Sequence, residues 1–124
     1  MVEARAGVGQ SALQQLLTTD DGAVRLGEAA LVPQSSLVVA EDLTWRHALI
    51  DENDACHLAL GRAYPACVAD GPDMGDAERT DVGLNDSGIH ADFVIGSPEL
   101  HISGITTGGE AELLLANGEW AFEV

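Results

Sequence analysis

The sequence predicts an α+β fold that is mostly β: a mixed or antiparallel sheet, a β-meander at the C-terminus and one or two short helices. Three observations carry this. The apolar runs are short and bounded by Gly, Asn, Asp and Pro. Ser11–Thr18 has clear helical spacing, which few other stretches show. The last third repeats strand-and-turn signals, ending on Asn117-Gly118 between Leu115 and Trp120, the strongest short hairpin signal.

In Ser11–Thr18, Leu13, Leu16 and Leu17 share one face behind Ser11, which is placed to cap the helix. Thr19-Asp20-Asp21-Gly22 supplies turn residues that end it. Arg25–Pro33 reads as a strand, and Gly27 within it suggests close passage of the backbone to another strand or to a metal site. Leu37–Ala40 is a short apolar run predicted as a strand. Glu41–Leu49 fits a helical turn carrying Trp45 toward the core. Cys56–Leu60 is apolar and is broken by Gly61. Ala69–Val82 is acidic, holds Gly-Pro and Met-Gly, and reads as a solvated loop. Its aspartates fall three apart, which does not match a calcium loop. Ile89–Ile95 reads as a strand, followed by strands Leu100–Ile105 and Ala111–Leu115 joined across Gly108-Gly109. Pro98, Trp120 and Phe122 are expected to pack.

A chain of 124 residues is expected to form a single domain, burying about two-thirds of its unfolded surface. No run approaches the roughly 18 apolar residues of a membrane span, and Met1–Arg5 lacks the pattern of a signal peptide. A cytoplasmic location is therefore expected. Cys56 and Cys67 are read as free thiols, not a disulfide framework. The formal net charge is −16, with arginine as the only strong cation. Such a field repels nucleic acid and anionic membrane, and neither is expected as a partner.

Two segments hold the chemistry. Asp51–Pro65 (DENDACHLALGRAYP) and Asn85–Leu100 (NDSGIHADFVIGSPEL) contain two of the four histidines and the single tyrosine. His90 and Asp92 stand at i and i+2 in a strand, so both side chains leave one face. An imidazole and a carboxylate on one face suit zinc, cobalt or manganese, although a solvated strand face shows the same spacing by chance. Glu28 by itself reads as a surface glutamate. The sequence has no HExxH motif, and a Ser87–His90 nucleophile pair lacks the elbow that chemistry needs.

Together with Gly22–Pro33 (GAVRLGEAALVP), these segments resemble the thermophilic-type metallo-aminopeptidases, the family of aminopeptidases T and II, in order and over Ala12–Phe122. The resemblance implies that Glu28, Glu52, His57, His90 and Asp92 are metal ligands for two divalent ions (zinc, cobalt, magnesium or manganese). It implies that Tyr64 donates to an oxyanion and that His47 and His101 do not ligate; Cys56 by its residue type reads as a small buried side chain and not a ligand. The implied activity is hydrolysis of the N-terminal peptide bond by a two-metal-activated water, on a peptide with a free N-terminus, in a homodimer. Family members are longer, so the chain is expected to correspond to their C-terminal metal-binding portion, without the N-terminal domain and without a further liganding glutamate that members carry well before the Gly-Glu pair. The alternative is a non-catalytic metal-binding or dimerisation module left from such an enzyme.

The charge generates a prediction of its own. At molar salt the Debye length falls to about 3 Å and self-repulsion largely disappears. A lysine-free acidic chain therefore suits a high-salt cytoplasm, whereas a GC-rich genome alone accounts for arginine and alanine. The melting temperature should rise from low salt to molar potassium chloride; a flat or falling melting temperature leaves only genome composition.

Overall fold

The computed structural model describes residues 4–40, 44 and 46–123. Their order is α1 (Gln10–Leu17), β1 (Leu26–Ala30), α2 (Leu37–Ala40), α3 (Ala48–Asp51), β2 (His57–Gly61), α4 (Asp76–Asp81), β3 (His90–Val94), β4 (Ile102–Ile105), β5 (Ala111–Ala116) and β6 (Glu119–Trp120). Two three-stranded sheets, β1-β2-β3 and β4-β5-β6, make this an α+β fold with antiparallel sheets. Two compact units are present, one from Met1–Ala29 and Leu58–Asp92, the other from Ala30–His57 and Phe93–Val124.

In the first sheet the Gly61 amide, at the end of β2, donates to the Arg25 carbonyl just before β1, at 2.8 Å. The Arg62 amide donates to the Ile89 carbonyl at 2.7 Å, and the Ile95 amide donates back to the Cys56 carbonyl at 2.9 Å. Ends pair with beginnings, which is the antiparallel pattern. Gly27 and Gly61 permit this closeness. A Cβ on Gly27 would run into the Gly61 and Arg62 carbonyl oxygens, and one on Gly61 would run into that of Ile89. Gly61 also has φ of 95°, where side chains are strained.

The first unit is tied by Asp20. Its carboxylate accepts from the Gly88 amide at 2.7 Å, the Ser87 hydroxyl at 2.9 Å, and the Gly22 and Ala23 amides at 2.9 Å. The turn before β1 is thereby anchored to the segment entering β3.

The second unit holds a core of Val32, Cys56 and Leu115, with Ile102, Leu114 and Trp120 packed against it. Cys56 is buried as expected, and its sulfur accepts from the Val32 amide and donates to the Val32 carbonyl. The meander follows the predicted turns, with Ile105 opposite Ala111 and Leu115 opposite Trp120.

Several expectations are corrected. α1 begins at Gln10 after Gly9, which is in the left-handed region, so Ser11 lies inside the helix and does not cap it. Leu37–Ala40 is a helical turn: the Ser36 hydroxyl accepts from the Val39 amide, and this cap outweighs the strand preference of two valines. Ala69–Val82 contains a 3-10 turn, Gly71–Asp73, and α4. The Glu78 carboxylate accepts from the Gly75 amide, and Arg79 donates to the Gly71 and Pro72 carbonyls, so local polar contacts stand in for apolar periodicity. Trp120 packs, but Phe122 is 53% exposed beside it and Pro98 is exposed. The expected turn carrying Trp45 involves residues 41–43 and 45, outside the described residues.

Bonding to Gly88, then to Ser87, Ala23 and Gly22, holds the Asp20 carboxyl below its ordinary value, against an opposing desolvation. A depressed folded-state value contributes stability above the unfolded value and loses it as pH falls. The stability difference between the unaltered chain and Asp20→Asn should therefore be full above about pH 5 and shrink as pH falls below about 4. Urea melts across that range measure it; a gap independent of pH refutes the role.

Candidate metal centre

β1, β2 and β3 bring candidate ligands to one sheet. Glu28 follows Gly27 in β1, His57 opens β2, and His90 and Asp92 lie at i and i+2 on β3. The His90 Nε2 lies 3.3 Å from Glu28 Oε2 and 3.3 Å from Asp92 Oδ1. The side chains of His90, Glu28 and Asp92 are 17%, 24% and 32% exposed, so the group is partly shielded yet reachable. His57 is buried, at 1% exposure.

Both rings are oriented by backbone. The His57 Nδ1 is 2.9 Å from the Ala55 carbonyl, and the His90 Nδ1 is 2.7 Å from the Arg62 carbonyl. A carbonyl oxygen only accepts, so each Nδ1 carries the proton and donates. In the neutral ring Nε2 then carries the lone pair, the form that ligates metal. The buried His90 Nε2 makes no hydrogen bond among the described residues. It faces two carboxylate oxygens instead, an arrangement that needs positive charge between acceptors. The 3.3 Å spacings match the edge of a tetrahedron with ligand bonds of about 2.0–2.1 Å. The donor set thus fits a zinc-like divalent ion.

Glu52 sits half-buried in the 3-10 turn Glu52–Asp54. Tyr64 precedes the turn Pro65–Cys67, and its ring centroid lies 4.6 Å from that of His90 with the planes tilted by 46°. His47 and His101 are exposed. The Ala55 and Arg62 carbonyls escape a reading by side-chain type, because any residue supplies one.

The model of the thermophilic metalloprotease (M29) peptidase family matches residues 1–120. The chain belongs to the M29 family. It is 48% identical over 124 residues to aminopeptidase 2 of Geobacillus stearothermophilus, covering 100% of this chain and 30% of that protein. It is 41% identical over 119 residues to aminopeptidase T of Thermus thermophilus, covering 96% of this chain and 29% of that protein. The solved structure of wild-type AmpT from Thermus thermophilus superposes with a TM-score of 0.79 at 40% identity, over 98% of this chain and 29% of that one. This M29 chain thus spans about 30% of the length of the curated relatives it matches.

Zinc added to this M29 chain should raise its melting temperature, by about 2.7 kcal/mol of stabilisation when free zinc is 100 times the dissociation constant. Chelator competition should show affinity falling by at least about tenfold in His90→Ala and in Asp92→Asn. Unchanged affinity in both variants would exclude them as ligands.

Proposed function

We propose that this chain is the metal-binding catalytic portion of a metallo-aminopeptidase that removes the N-terminal residue of peptides. The carrying observation is the His90 Nε2 held 3.3 Å from Glu28 and Asp92 with its Nδ1 bonded to a backbone carbonyl; family membership supports it. Glu28, His57, His90 and Asp92 would hold the divalent ions, with Glu52 a further candidate; two ions per site is part of this reading. Such ions supply Lewis acidity toward the scissile carbonyl and lower the pKa of water.

The chain's own residues supply the rest. Tyr64, 39% exposed beside His90, donates its phenol proton to the oxygen that becomes negative. The acidic surroundings favour a substrate's α-ammonium. Orientation by the Ala55 and Arg62 carbonyls keeps both imidazoles from turning. A cytoplasmic setting and a homodimeric assembly belong to the same reading; the two free cysteines support the former.

The relatives' greater length favours a second reading, a metal-binding or dimerisation module without turnover alone. Losing substrate-positioning and water-excluding parts lowers rate even when ligands are in place. A leucine anilide assay with added cobalt separates the readings. Weak turnover is expected, abolished in His90→Ala and raised when the remaining two-thirds of a homologous aminopeptidase is supplied in trans. Tight zinc binding with no turnover under either condition would favour the module.

A further inference from the structure

We propose that Asn85 is the positioning residue that fixes His90 for metal ligation, acting through the backbone around Arg62; this rests on reading His90 as a ligand. His90 takes its orientation from the Arg62 carbonyl. The peptide unit bearing that carbonyl ends in the Ala63 amide, which donates to the Asn85 backbone carbonyl at 2.8 Å. In the preceding unit the Arg62 amide donates to the Ile89 carbonyl, and the Gly61 carbonyl accepts from Asn85 Nδ2 at 2.6 Å. Asn85 thus holds one group in each of the two peptide units that flank Arg62.

The second proton of the Asn85 amide goes to the Gly22 carbonyl, 2.9 Å away in the turn before β1. Both partners are carbonyl oxygens, so the NH2 end must face them and the amide has one orientation. Gly61 explains why an external clamp is needed. A glycine at φ of 95° has no Cβ to restrict it, so the plane that follows is not fixed locally. Ligating side chains work only within about 0.5 Å and 10–20° of the productive geometry. A side chain with two donors aimed at two carbonyls holds that tolerance, and an isosteric carboxylate cannot.

The test compares the unaltered chain with Asn85→Asp and Asn85→Ser. Ring nitrogen NMR of the metal-free chain at alkaline pH reads which His90 nitrogen carries the proton. The proton should sit on Nδ1 in the unaltered chain and shift toward Nε2 in Asn85→Asp and in Asn85→Ser, neither of which carries an amide that reaches both carbonyls. Zinc affinity by chelator competition should fall about 10–100-fold in Asn85→Asp. Leu115→Val, in a core that holds none of the residues bonded to Asn85, should leave the His90 tautomer unchanged. A folded Asn85→Asp with an unaltered tautomer and affinity overturns the proposal. If neither Asn85 variant folds, side-chain amide exchange in the unaltered chain decides: protected Asn85 protons support the clamp, and exchange at the rate of an exposed amide overturns it. Absence of zinc binding in the unaltered chain would defeat the metal-centre reading, while tautomer and exchange would still judge Asn85.

Discussion

The site depends on which nitrogen each ring presents, and two hydrogen bonds decide it. His57 and His90 each spend Nδ1 on a main-chain carbonyl. Neither acceptor is accidental. The 3-10 turn Glu52–Asp54 stops at Ala55, whose extended backbone marks the entry to β2. The Arg62 carbonyl stands where β2 ends against the start of β3. Strand boundaries thus become instructions about proton position, and through them about which atoms meet the carboxylates.

Electrostatics gives the arrangement its sign. Glu28 and Asp92 each approach one imidazole nitrogen in a chain whose formal charge is −16. Like charges brought together in a partly shielded place raise each other's energy, and a cation relieves it. The field of the whole chain adds to this by concentrating cations of any kind near its surface. Imidazole nitrogens as such favour transition metals over calcium or magnesium.

Much of this was legible in the residues, unevenly. Period-two spacing announced His90 and Asp92, and Asn117-Gly118 announced the final hairpin, because both signals are local. Glu28 was legible only through family resemblance, since one glutamate in a strand says nothing of what lies across from it. Leu37–Ala40 misled because valines favour strands in general, whereas one serine hydroxyl set the backbone there. In Ala69–Val82 the helix is held by side-chain-to-backbone bonds and has little apolar face to detect. The carbonyls that orient the two rings were invisible, since a main-chain oxygen leaves no mark on residue type.

Each compact unit is assembled from two separate stretches, with the partner's stretch lying between them in the chain. During synthesis the first unit stays incomplete until Leu58–Asp92 has emerged, and by then Ala30–His57 is waiting for the residues from Phe93 onward. Contacts that join distant stretches carry loop-closure entropy before they stabilise anything, and they form slowly. β1, β2 and β3 come from three separate stretches of the chain, so Glu28 of β1 meets His90 and Asp92 only after β3 has emerged. A nascent chain therefore exposes Glu28 well before the strand that carries His90 and Asp92 exists.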